Sequence, residues 1–173
     1  MSSHAAFPTI LITGPSGVGK STVASEVSWI LSEERDLAHA VIEMDAISIV
    51  HPMPDDPRLR LANLRDVWDN YRAEGANRLI LVDTLESSSD LDLLRAALPE
   101  AQISVFRLTA DLAVLFERVS ARERGGIGEP LHREMAERHV RVQADLGIAE
   151  RLIEADSRTP NQLARQILRL CGW

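Results

Sequence analysis

The stretch Gly14-Pro15-Ser16-Gly17-Val18-Gly19-Lys20-Ser21 combines three glycines, a lysine and a hydroxyl at the spacing G-x-x-x-x-G-K-[ST]. Each residue type answers a need of polyphosphate binding. Glycine admits positive φ and lets phosphate oxygens approach bare backbone, so Gly14, Gly17 and Gly19 open the turn. The amides from Ser16 through Val18 to Lys20 then converge as an anion nest. A helix starting near Lys20 adds unpaired N–H groups and the positive end of its dipole. The expected ligand is a nucleoside triphosphate with magnesium. Lys20 would reach the β- and γ-phosphates, and the Ser21 hydroxyl would sit on Mg²⁺. Thr22 is either a second phosphate contact or an ordinary helix residue. Of 19 basic residues, 18 are arginine and Lys20 is the single lysine. A compact ammonium on a flexible stem is thus kept at this one position.

The elements around the stretch must position it. Residues 9–13 form a short apolar run, read as a buried strand, and residues 20 to about 34 carry a helical pattern. Further strands are expected at 40–44, 79–82, 103–108 and 152–155. Helices are expected at 58–74, after Ser89 as a cap with Asp92 three residues on, after Thr109 to about 122, at 131–146, and after the capping box Thr159-Pro160-Asn161-Gln162. Glu134–Arg138 and Glu137–Arg141 are expected as i,i+4 pairs. Gly125, Gly126 and Gly128 break the chain, either as the hinge of a lid near 122–132 or as a plain turn. Strands alternating with helices imply right-handed βαβ units in one α/β domain, residues 1–173, with a parallel sheet covered on both faces. Ligands of such sheets bind beyond the carboxyl ends of the strands. Gly14, Asp45, Asp83 and Thr109 all fall on that edge. Asp83 ends an apolar run as a Walker B acid does, and would hold magnesium through water.

Composition narrows the class. A net charge of −7 argues against nucleic acid or an anionic membrane as partner. No apolar run is long enough to span a bilayer. The N-terminus lacks the basic and apolar regions of a signal peptide, so a cytoplasmic protein is expected. One cysteine, Cys171, leaves no intrachain disulfide, and the five histidines show no close zinc-ligand spacing. A guanine-reading N-K-x-D motif needs a second lysine, which disfavours the GTPase class. The sequence does not set the oligomeric state.

With these motifs the chain resembles the compact P-loop kinases related to nucleoside monophosphate kinases, among them shikimate, gluconate and adenylylsulfate kinases and chloramphenicol phosphotransferase. The resemblance rests on the phosphate loop and on Glu43-Met44-Asp45, where many of these kinases carry D-x-D. It rests also on Leu115-Phe116-Glu117-Arg118 with Arg122, and on Ala155-Asp156-Ser157 with Thr159-Pro160. It implies strand order 2-3-1-4-5 and phosphoryl transfer from ATP to a small-molecule acceptor. Asp45 would accept or orient the acceptor proton, or hold magnesium through water. Arg118 and Arg122, four apart on one helix, would close over the phosphates, with Arg118 also bordering the nucleotide and Arg124 an even choice between chemistry and surface. The acceptor would sit between Asp45, the 58–74 helix and the 84–90 loop. There Arg58, Arg60 and Arg65 either bind an anionic acceptor or lie on the surface, and His51 and Trp68 either line the pocket or belong to surface and core. Glu86 is a weaker candidate. Two other readings stay open: a nucleotide hydrolase with water as acceptor, and a non-catalytic nucleotide-sensing protein.

Overall fold

The computed structural model describes residues 5–124, 126–144, 146–148 and 151–173. In chain order the elements are β1 (Phe7–Thr13), α1 (Lys20–Glu33), β2 (Ala40–Glu43), α2 (Arg58–Ala73), β3 (Leu79–Val82), α3 (Ser88–Ala97), β4 (Ala101–Thr109), α4 (Leu112–Glu123), α5 (Glu129–Ala144), β5 (Arg151–Glu154) and α6 (Pro160–Cys171). All five strands run parallel in the order β2-β3-β1-β4-β5, as the resemblance implies.

The central strand explains the layering. Ile10 pairs with Ile80 and Ser104, and Leu11 with Leu81 and Val105. Successive side chains point to opposite faces. Ile10, Ile12, Ile80 and Phe106 meet Val27, Ile30 and Leu31 of α1 and Ile167 of α6 on one face. Leu11, Leu79, Leu81 and Val105 meet Leu64 and Trp68 of α2 and Leu91 and Leu94 of α3 on the other. Burial on both faces is why these strands read as unbroken apolar runs rather than alternating ones.

Several expectations shift locally. Ser87, not Ser89, caps α3: its side chain accepts from the Asp90 amide, and Asp90 answers with Oδ2 on the Ser87 amide. In a run of three serines, the one matched to an acid three residues on in the actual helix takes the role, and two such registers exist. Thr109 ends β4, and Asp111 precedes α4 without a side-chain cap. Arg141 pairs with Glu137 at 3.3 Å as expected, but Arg138 pairs with Glu86 across the fold instead of with Glu134. On α6 the helical repeat of Leu163, Ile167 and Leu170 reads as a core face; Leu163 and Ile167 are buried, whereas Leu170 is exposed and Leu168 is buried in its place. The capping box Thr159–Gln162 forms as read.

Trp68 is buried against Phe7, ring centroids 4.5 Å apart. It is a core residue, not a pocket wall. Its Nε1 has no hydrogen-bond partner among the described residues. Trp68→Ala is therefore expected to cost about 3–5 kcal/mol of stability. Trp68→Phe, which keeps most of the ring and sacrifices no bond, should cost about 1.5 kcal/mol or less. Urea denaturation of the two variants checks both values.

Candidate active site

β1 ends at Thr13 and the chain turns through the glycine-rich loop into α1. Two of its glycines are required for different reasons. A Cβ on Gly17 would lie 2.8 Å from Val119 Cγ2 and 3.1 Å from the Leu115 carbonyl, so the loop rests directly on α4. Gly19 has open space around it but sits at φ 100° as the residue before α1, a conformation that L side chains rarely adopt. Gly17, at φ 83°, is thus constrained by contact and by backbone angle together, and Gly19 by backbone angle alone.

Lys20 opens α1 and folds back over the loop. Its Nζ donates to the Gly14 carbonyl at 2.9 Å and the Pro15 carbonyl at 3.2 Å. Burial lowers its pKa to about 8, against the pull of Asp45, Asp83 and Glu43, while Arg122 adds to the lowering. The Ser21 hydroxyl donates to Glu43 Oε2 at 2.9 Å. Glu43 thus stands beside the expected magnesium hydroxyl, a position that sequence reading passed over because the family pattern carries aspartate there.

A cavity of about 750 Å³ opens above the strand ends. Its floor is the loop from Ser16 to Gly19 with Lys20, Ser21 and Thr22. Toward β2 and β3 the wall is Glu43, Asp45, Asp83 and Thr84. Toward β5 it is Ala155, Arg158, Pro160 and Leu163. Arg118 and Arg122 of α4, with His132, Met135 and His139 of α5, close the remaining sides. Sequence-derived candidates Lys20, Ser21, Asp45, Asp83, Arg118 and Arg122 therefore meet around one space. Gly14 contributes its carbonyl to Lys20 without lining the cavity.

The two aspartates differ in environment. Asp45 is exposed on the wall. Asp83 is buried, and both its oxygens accept from Arg60 Nη2 at 2.7 Å. The Thr84 amide donates to Asp83 Oδ1 at 2.9 Å. Burial pushes the Asp83 carboxyl above its usual range, against the pull of Arg60 and that amide. The arginines differ as well. Arg118 Nη1 donates to the Val18 carbonyl at 3.2 Å and Nη2 to the Ala155 carbonyl at 2.8 Å, so it ties the loop to the end of β5. Arg122 is half exposed on the cavity wall beside Glu123, Nη2 to Oε1 3.0 Å. Arg124 ends α4 at φ 48° and does not line the cavity.

The arginines considered for an anionic acceptor are engaged elsewhere. Arg58 pairs with Asp56 at the surface, Arg60 is held by Asp83, and Arg65 Nε donates to the Ala97 carbonyl. His51 is exposed in the loop before α2. Of the three chain-breaking glycines, Gly125 lies outside the described residues. Gly126 and Gly128 lie in the short connection between α4 and α5. His139, which sequence reading assigned no role, accepts the Ser16 amide at Nδ1, 3.3 Å. Glu86 bonds its other nitrogen at 3.2 Å. A histidine inside a helix of paired charges gives no signal of this contact, which spans 123 residues of chain.

Ser21, Glu43 and Asp45 offer hard oxygen donors, few in number, on one side of the loop. That set fits Mg²⁺, which keeps several of its waters and takes only a few protein oxygens. Among the described residues, no three or more His, Cys, Asp or Glu side chains are gathered tightly enough to cage a metal alone. The phosphate loop and these donors suit a metal that arrives with a nucleotide.

Comparison with known proteins agrees with this geometry. A family model described as an AAA domain matches residues 10–140. No curated protein matches the chain. Among solved structures, a gluconokinase from Sinorhizobium meliloti is similar at TM-score 0.66 and 19% identity, over 98% of this chain and 94% of that one. A tunicamycin resistance protein from Deinococcus radiodurans is similar at TM-score 0.66 and 21% identity, over 96% of each chain. Shikimate kinase from Bacteroides thetaiotaomicron is similar at TM-score 0.63 and 14% identity, over 97% of this chain and 100% of that one. At these identities the likeness is one of fold, and the fold is that of the P-loop small-molecule kinases. Because the family match spans the loop, four of the five strands and most of the cavity wall, the chain belongs to the AAA domain family.

Proposed function

We propose that the protein is an ATP-dependent phosphotransferase that moves the γ-phosphate to a hydroxyl of a small molecule. The observation that carries this reading is a phosphate loop with its lysine facing an exposed carboxylate, Asp45, across a cavity large enough for a nucleotide and a second ligand. The β5 flank, with Arg118, Arg158, Pro160 and Leu163, takes the nucleoside. The β2–β3 flank takes the acceptor.

Loop amides and Lys20 hold the β- and γ-phosphates. Ser21 and Glu43 would hold Mg²⁺ directly or through its waters, with Asp83 behind them. When bound, magnesium neutralises charge on the phosphate oxygens. The acceptor oxygen attacks the γ-phosphorus in line. A new P–O bond forms as the β–γ bridging bond breaks, ADP leaves with that electron pair, and the hydroxyl proton passes to Asp45. Arg122, on the wall and free of backbone contacts among the described residues, meets the charge that builds on the transferred group. Arg118 acts mainly by holding the loop. A lid near residues 122–132, hinged at its glycines, would exclude water.

The polarity of the cavity supports an acceptor without a negative charge. Glu43, Asp45 and Asp83 line that end, and Arg60 Nη2 is already taken by Asp83. An acceptor carboxylate would meet the repulsion of these three acids there. Neutral polyols and sugars are expected to be phosphorylated at least about tenfold faster than their matched acids, a difference of about 1.4 kcal/mol. Product analysis over such pairs checks it, and faster transfer to the acids overturns it. ADP release without added acceptor, at a rate matching the best transfer, would favour a hydrolase.

Lys20→Ala should lower turnover by about 10²-fold or more, a loss of several kcal/mol of phosphate stabilisation. Asp45→Asn should leave the Kd for Mg·ATP within about threefold while transfer falls about 10²–10⁴-fold. Calorimetry beside a coupled assay separates the two effects, and parallel loss of both would make Asp45 structural. Because burial lowers the Lys20 pKa to about 8, its ammonium is present below that pH and lost above it. The kcat/KM for Mg·ATP, which reports the free enzyme, should therefore decline as pH rises through about 8.

A further inference from the structure

α5 returns from the lid connection and lays one face against the phosphate site. Ala136, His139 and Gln143 are buried along that face. Gln143 Nε2 donates to the Leu85 carbonyl at 2.9 Å, and the Leu85 amide donates to Thr13 Oγ1 at 3.0 Å, at the end of β1. One turn before Gln143, His139 Nδ1 receives the Ser16 amide of the phosphate loop at 3.3 Å. Glu86 lies 3.2 Å from His139 Nε2 and also takes Arg138. These contacts determine the tautomer. Nδ1 can accept only if it carries no proton, so Nε2 holds the hydrogen and donates it to Glu86.

Ser16 lies on the cavity floor, its own amide turned to His139 beside the segment whose remaining amides must face a polyphosphate. His139 is itself buried, so by accepting this half-buried amide from a fixed position it holds the loop in one conformation. We propose that His139 is a positioning residue of the phosphate site: its neutral ring fixes the Ser16 amide and couples the seat of α5 to the loop's readiness for nucleotide. The inference rests on the phosphotransferase reading for the identity of the nucleotide.

Three charged groups act on the ring. Glu86 faces it from the β3–α3 connection, Lys20 from the start of α1, and Arg138 belongs to its own helix. Burial lowers the His139 pKa most, Lys20 and Arg138 lower it further, and Glu86 opposes them. The ring is therefore neutral at neutral pH. Its bond to Ser16 is present above the ordinary imidazole range and is lost as pH falls through the lowered value, because a protonated Nδ1 cannot accept.

The test is the Kd of Mg·ATP, by calorimetry between pH 5 and 8, for the wild type, His139→Leu, His139→Asn and Glu86→Gln, with thermal melts of each. His139→Leu is expected to weaken binding roughly three- to tenfold at pH 8, the scale of one lost half-buried hydrogen bond. His139→Asn, whose Oδ1 can replace Nδ1 as acceptor, should recover most of that affinity. Protonation of ATP itself affects all four proteins alike, so the readout is the ratio to the Asn variant. Wild type should weaken relative to His139→Asn as pH falls. In Glu86→Gln that weakening should move to lower pH, since the carboxylate that favours the charged ring is gone. Equal affinity of wild type and His139→Leu, or a ratio of wild type to His139→Asn that ignores pH, overturns the proposal. Failure of the wild type itself to bind Mg·ATP overturns the phosphotransferase reading and this inference together, which separates the two failures.

Discussion

The constraint on which the rest of the site depends is a half-buried ammonium held by two carbonyls of its own loop. Lys20 gives up part of its water to the Gly14 and Pro15 carbonyls, and burial lowers its pKa to about 8. A charge in that position is tolerable only if the loop is held still and opposite charge lies near. Both conditions are met from outside the loop. α4 presses on Gly17, Arg118 grips the Val18 carbonyl, and α5 holds the Ser16 amide through His139. The carboxylates of Asp45, Asp83 and Glu43 supply the opposing field. The loop's shape is therefore a property of three helices and a sheet edge, although its residues are nearly contiguous in sequence.

Strand order turns that local arrangement into a polarised cavity. Because β1 sits at the centre, the chain ends on one side are β3 and β2, and on the other β4 and β5. The acids fall on the first side and the arginines on the second. On the proposed reading, a nucleotide polyphosphate laid across the loop would meet Arg118 and Arg158 toward its nucleoside end and carboxylates, with room for magnesium and with Arg122 on the same wall, toward its γ end. Like charges there would act on a competing anion as a barrier rather than an attraction.

The sequence allowed the elements to be read wherever pattern and neighbour agreed. β3, the start of α1 and the capping box of α6 stand where apolar runs, the glycine-lysine turn and Thr159–Gln162 put them. Ser87 was missed because three adjacent serines offer two registers for an acid three residues on, and only packing of Leu91 and Leu94 selects between them. Trp68 was ambiguous because α2 carries apolar residues at both 67 and 68, so the pattern left its buried face open by one position. The loop and the strand-end acids were legible because local chemistry demands them. His139 and the Arg60–Asp83 pair were not, since each joins residues distant in sequence and neither belongs to a periodic pattern.

Arginine abundance makes that last distinction matter. In a chain with 18 arginines, spacing alone cannot tell a catalytic guanidinium from a structural one. Contacts can, because a guanidinium already facing fixed acceptors has less to give a transient charge. Arg60 is held by Asp83, Arg65 by a helix-end carbonyl, Arg118 by two backbone oxygens and Arg138 by Glu86. Arg122 differs: its partner is the adjacent Glu123, in a half-exposed pair that is weak in water and open to exchange. On the proposed reading, a phosphate carrying more than one negative charge would outcompete such a carboxylate. The same four-residue spacing brings Arg118 and Arg122 to one wall in different states, one bound to fixed backbone oxygens and the other in an exchangeable pair that a phosphate on the loop could draw away.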